Sequence, residues 1–133
     1  MTTRTWLWMV PIGLLVVPVA AWATRSEVIQ KYNSGGQLTF TAERGKELWN
    51  KTVVGKAGAE RGCNTCHGKD LTKPGKHEKT GKVIDPMAPS VNPERFTDAA
   101  KVEKWLKRNC KETFDRECTD QEKGDVLTYL SQL

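Results

Sequence analysis

The sequence predicts an all-α fold, and three observations predict it. Four segments begin with a helix-capping residue and continue with apolar positions at helical spacing. No stretch of any length alternates apolar and polar residues as a half-buried strand does. Between the second and third helices lies a region rich in Gly, Pro and Lys, residues 52–97, too long for a structureless loop in a compact domain unless it has something to wrap around.

In chain order, SEVIQKYN (26–33) opens on Ser26, a good N-cap, and stops at Gly35 and Gly36. TAERGKELWNK (41–51) opens on Thr41 and turns Leu48 and Trp49 inward. DAAKVEKWLKRN (98–109) opens on Asp98 and spaces Val102, Trp105 and Leu106 as one apolar stripe. TDQEKGDVLTYLSQL (119–133) begins with Thr-x-x-Glu, a capping box in which each side chain satisfies the other's backbone N–H, and carries Val126, Leu127 and Leu130 inward.

Upstream, MTTRTWLWMVPIGLLVVPVAAWA places one positive charge, Arg4, before an uncharged apolar run broken by Pro11 and Pro18, and ends in Ala21-Trp22-Ala23. Charge, apolar run and small-x-small triplet in that order make a secretory signal peptide over residues 1–23, expected to be cleaved after Ala23; the two prolines argue against an uncleaved anchor. Residues 24–133 then form one domain of 110 residues, exported to the periplasm and, with no second long apolar run, not membrane-embedded. They carry 20 basic and 16 acidic side chains, with ten basic against four acidic from Arg44 to Lys82 and three against six from Lys111 to Asp125. The basic stretch is either a steering surface for an acidic redox partner or a solvated lysine-rich loop.

Within the long region, RGCNTCHG contains Cys63-x-x-Cys66-His67, the spacing of covalent haem attachment. Two intervening residues bring both thiols to the vinyl-derived carbons of the porphyrin, and the next imidazole then lies under the iron. A zinc knuckle would need further ligands, and the two other cysteines lack a paired Cys-x-x-Cys spacing. A redox dithiol would need a βαβ context that is missing. The expectation is a small cytochrome c-like helical domain wrapped around one covalent haem c, with Cys63 and Cys66 as thioether donors and His67 as proximal ligand. Such an exported domain leaves no role for nucleic acid.

The far side of the iron has three candidates. His77, in KPGKHEKTG, reads as a solvated loop residue. Met87, in DPMAPSVNP, reads as apolar packing on the His67 side, with Pro86 or a neighbour offering its carbonyl to the other imidazole nitrogen; as a ligand it would make an ordinary His/Met electron carrier without an open site. Asn109 continues the stripe of Val102, Trp105 and Leu106 at i+7, where it is either a ligand or a helix C-cap. The next residue is Cys110, and the remaining thiol is Cys118; a bond between them would close a short ring worth about 2–3 kcal/mol of unfolded-state entropy and clamp the helix end beside Asn109.

The segment from TCHGKDL through APS to NPERFTDAAKVEKWLKRNC, with Cys118 and TDQEKGDVLTYL beyond it, resembles the sphaeroides haem protein family of small exported monohaem c-type cytochromes. A related branch, the cytochrome c″ type, has histidine immediately before the first disulfide cysteine; Asn109 at that place resembles the asparagine-ligated branch. The resemblance implies Asn109 as distal ligand in the oxidised protein and a Cys110–Cys118 disulfide. It also implies loss of the asparagine on reduction, binding of O2, NO or CO at ferrous iron, and a dihaem c-type cytochrome and a membrane b-type cytochrome as electron donors. Met87 departs from the leucine expected in relatives. A neutral amide oxygen is a hard, weak donor that suits ferric better than ferrous iron, so the implied switch is chemically sensible. No proton donor or substrate pocket is evident, so enzymatic turnover is not expected beyond minor oxygen or nitric oxide redox chemistry.

Overall fold

The computed structural model describes residues 20–56 and 58–133. The expected leader, residues 1–23, lies outside the described residues except for the backbone of its last four, which open the first helix. Five α-helices are present among the described residues: α1 Ala20–Gln30, α2 Ala42–Asn50, α3 Cys63–His67, α4 Ala99–Phe114 and α5 Asp120–Leu130. The all-α class is borne out. Two minimal antiparallel ladders lie in the long region, β1 Val53–Val54 with β2 Glu60–Arg61 and β3 Gly75–Lys76 with β4 Val83–Ile84. Ladders of two residues are too short to leave an alternating pattern, which is why the sequence shows no strand.

Helix starts follow their capping chemistry with one exception. Thr41, Asp98 and Thr119 each accept a hydrogen bond from the backbone N–H three residues on, and the Glu122 carboxylate accepts one from the Thr119 N–H, completing the capping box. Ser26 is not an N-cap: α1 starts six residues before it and passes into a 3-10 turn at Lys31–Asn33. Nothing between Ala20 and Ser26 breaks a helix, so the cap residue was available but unused.

The core is organised on α5. Leu127 packs with Val28, Tyr32 and Val102, while Val126 and Leu130 pack with Trp49 and Leu71. The partly buried Phe96 touches both groups. Helix α2 crosses α5 very closely at Gly45, where a Cβ would fall 2.0 Å from the Asp125 carbonyl oxygen. At this crossing the buried Asp125 carboxylate accepts from the Thr41 N–H at 2.7 Å and Arg44 Nε at 2.8 Å. A buried charge is tolerated when it is both paired and hydrogen-bonded.

The expected stripe on α4 is only partly realised. Val102 is buried and Leu106 packs against the Val28–Leu127 group, but Trp105 is 43% exposed, with the Arg108 guanidinium 5.5 Å from its ring centroid. Tyr32 Oη donates to Glu103 at 2.8 Å, and the buried Lys123 ammonium reaches the same carboxylate at 3.0 Å, tying this part of α4 to the 3-10 turn and α5.

Candidate haem site

Helix α3 is far too short to be stable on its own and is held by its ends. The Gly62 N–H donates to Thr65 Oγ1 at 3.0 Å, and the Gly68 N–H donates to the Asn64 carbonyl at 2.9 Å, with Gly68 at φ 73°. Strand β3 presses on the helix from outside. A Cβ at Gly75 would lie 2.3 Å from the Cys66 carbonyl oxygen and 2.8 Å from His67 Cα, so a side chain there would collide with backbone.

Cys63 and Cys66 are unpaired thiols one helical turn apart. Cys63 packs against the Trp49–Leu71 group, and burial of its sulfur pushes its pKa up to about 11. Cys66 Sγ accepts from the Glu78 N–H at 3.4 Å. His67 sits with its ring centroid 5.2 Å from that of Trp49. Burial, helped by the Arg95 charge, lowers its pKa to about 4, so the imidazole is neutral at pH 7, the form in which it ligates metals. Two free thiols and a neutral imidazole on one turn are a donor set suited to a covalently held porphyrin, thiols for thioether bonds and nitrogen for iron. Among the described residues no group of three or more His, Cys, Asp or Glu is arranged to hold a bare metal ion.

The carbonyl expected to support His67 is engaged elsewhere. The Pro86 oxygen accepts from Arg95 Nε at 2.7 Å and Asn92 Nδ2 at 3.2 Å, while His67 Nδ1 is buried without a hydrogen-bond partner. Arg95 carried no signal in the sequence, because its role depends on a turn that brings it back over Pro86. Met87 donates its N–H to the Leu71 carbonyl at 3.0 Å and packs against the group of Trp49, Leu71, Val126 and Leu130. One member of that group, Trp49, also meets the His67 ring.

Asn109 lies in the interior of α4, partly exposed. The helix runs on to Phe114, and Asp115, at φ 56°, takes the left-handed capping position. The expected helix end at residue 109 is thus overturned, and with it the capping role for Asn109. Helix-favouring residues after Cys110 and an Asp able to adopt positive φ were the missed signals. Cys110 and Cys118 form a disulfide with a Cα–Cα distance of 5.7 Å.

Asn109, Trp105 and Glu112 share a face by i, i+4 and i+3 spacing. That face is engaged at Glu112, whose carboxylate is 3.6 Å from His77 Nε2 and 3.2 Å from Lys79 Nζ, both in the turn joining β3 to β4. His77 is accordingly not a solvated loop residue: its side chain is only 23% exposed, and Nδ1 accepts from the Thr80 N–H at 3.3 Å. From the other flank of α3, Arg61 Nη1 donates to the Glu112 carbonyl at 2.5 Å, and Nη2 lies 4.0 Å from the Asp115 carboxylate. Segments on both sides of Cys-x-x-Cys-His converge on the last turns of α4.

Residues 35–130 match a family described as a domain of unknown function (DUF1924). The chain is 44% identical over 106 residues to the cytochrome c-type protein SHP of Cereibacter sphaeroides, covering 80% of this chain and 81% of that protein. It is 37% identical over 86 residues to cytochrome c″ of Methylophilus methylotrophus, covering 65% of this chain and 60% of that protein. The solved structure of oxidised SHP, titled an oxygen-binding cytochrome c, superposes with a TM-score of 0.74 at 44% identity over 82% of this chain and 96% of that one. The crystal structure of oxidised cytochrome c″ superposes with a TM-score of 0.71 at 30% identity over 82% and 94%. With Cys-x-x-Cys-His on a capped single turn, a disulfide following Asn109 and this breadth of likeness, the chain belongs to the sphaeroides haem protein (SHP) family of c-type cytochromes, and its prosthetic group is haem c.

Proposed function

We propose that this chain is an exported, periplasmic haem protein that takes up electrons and binds oxygen, nitric oxide or carbon monoxide at reduced iron. Cys63 and Cys66 hold the haem covalently, His67 is the proximal ligand, and Asn109 is the distal ligand of the oxidised protein. The haem supplies an iron that changes valence and accepts one exchangeable ligand. A dihaem c-type cytochrome and a membrane b-type cytochrome are the proposed donors; among the described residues no helix is long and apolar enough to cross a membrane.

The observation that carries this reading is the placement of the two rival ligands. Met87 packs against the group of Trp49, Leu71, Val126 and Leu130, and Trp49 of that group also meets the His67 ring, which supports an apolar packing role for Met87 on the His67 side. Asn109 sits inside a helix, on a face tied to the turn that packs on Cys66, with a disulfide at the next residue. Its carboxamide oxygen is a weak donor, suited to ferric iron and readily given up on reduction. The relative with the highest identity in the superpositions above is titled oxygen-binding, in keeping with an exchangeable position.

The test is carbon monoxide titration of the anaerobically reduced protein. A new ferrous–carbonyl spectrum saturating with the gas is expected; a low-spin ferrous spectrum that ignores it would return the protein to ordinary His/Met electron transfer. Asn109→Ala should alter the oxidised spectrum, and Met87→Leu should leave it unchanged.

A further inference from the structure

Helix α4 is fastened near its start by core contacts of Val102 and by Glu103 with Tyr32 and Lys123. Near its end it is fastened by side chains from the long region. At that end Glu112 is reached from both flanks of α3: its carboxylate by His77 and Lys79, its carbonyl by Arg61. The β3–β4 hairpin that carries His77 and Lys79 is itself seated on Cys66, through the backbone approach at Gly75 and the Glu78 N–H on Sγ. Glu112 is three residues from Asn109 on the same helix face.

We propose that Glu112 is a positioning residue for Asn109: its carboxylate latches the last turns of α4 to the hairpin seated on the Cys-x-x-Cys-His turn, and so sets how firmly the Asn109 carboxamide is presented to the haem. This builds on the distal-ligand role proposed above. The side chain of Glu112 is 32% exposed, and those of His77 and Lys79 are 23% and 64% exposed. The Lys79–Glu112 ion pair is weak at that exposure, and the 3.6 Å His77–Glu112 contact adds little to it. A weak latch suits a weak ligand, because a rigid one would keep Asn109 in place whatever the iron's valence. The disulfide cannot supply this function alone. It ties α4 to the segment before α5, whereas the Glu112 pairs tie it to the side that carries the haem donors.

Imidazole binding to the oxidised holoprotein measures the latch, since added imidazole must displace the resident distal ligand. In Glu112→Gln the apparent imidazole affinity should rise roughly two- to fivefold, the range expected from losing one or two partly exposed ion pairs. His77→Gln combined with Lys79→Gln should give the same rise, which keeps the test alive if Glu112→Gln folds poorly. In an Asn109→Ala background neither change should have any further effect. Equal rises in both backgrounds would mean that Glu112 controls access rather than Asn109, and no rise in the wild-type background would mean there is no latch; either result overturns the proposal. Failure of the ligand reading is separable from these, because it shows as an oxidised spectrum unmoved by Asn109→Ala itself.

Discussion

The indole of Trp49 lies 5.2 Å, centroid to centroid, from the imidazole of His67, their planes inclined at 42°. Trp49 is only 5% exposed and stands between His67 and the Leu71–Val126–Leu130 group, so packing of the core and orientation of this imidazole are one problem. Trp49→Ala should cost about 3–5 kcal/mol of stability, as large buried aromatics do, and leave His67 with more rotational freedom. Trp49→Phe should recover most of the loss. Urea unfolding of the holoprotein gives the first quantity, and broadening of the oxidised haem spectrum reports the second.

At Gly45 helices α2 and α5 approach each other closely. Because the glycine's missing Cβ would stand 2.0 Å from the Asp125 carbonyl oxygen, Gly45→Ala must push α2 away from α5. A loss of about 1–3 kcal/mol is expected despite alanine's better helix propensity. Gain of stability in thermal unfolding would show that the crossing yields easily.

Two carboxylates near α5 contribute to the acid limit. Burial raises the Asp125 pKa, but Arg44, the Thr41 N–H and Gln121 together outweigh it and hold this group below the usual carboxylate range. Glu122 is drawn down to about 2, mainly by Arg116; burial opposes this as the next-largest effect, and the Thr119 N–H then adds to the lowering. Both folded values are below those of the unfolded chain, so the stabilisation is complete above about pH 5 and disappears as pH falls toward 2. Urea midpoints should decline steadily from about pH 5 to pH 3. Arg116→Ala, which removes the main cause at Glu122, should be less stable at pH 7 and show a shallower decline.

Met87 is half-buried against hydrophobic neighbours, and its backbone is already anchored to Leu71. Met87→Leu conserves volume and should change stability by less than about 1.5 kcal/mol. A loss well beyond that, accompanied by a changed oxidised spectrum, would assign the thioether a ligand's role.

The Cys110–Cys118 bond closes a ring with a sequence separation of 8 at the end of α4. Its removal by a double Cys→Ser change should cost about 2–3 kcal/mol in the chain-entropy description. If the ring also steadies Asn109, thiol reduction at constant iron valence should shift the oxidised spectrum toward that of Asn109→Ala. An unaltered spectrum would confine the disulfide to stability.

Local chemistry was legible in the chain itself. Thr41, Asp98 and Thr119 cap their helices because a side-chain oxygen reaches a backbone N–H only three residues away. The Cys63–His67 motif is likewise readable because all three donors fall within five residues. Long-range contacts were not. That His77 pairs with Glu112, that Arg95 takes the Pro86 carbonyl and that Met87 packs against the group containing Trp49 all depend on how the long region folds back. Spacing along the chain determined which groups exist and which neighbours share a helical turn. Which of them meet across tens of residues was decided by packing on α5, since burial rewards whichever distant surfaces fit together and leaves no periodic trace in the sequence.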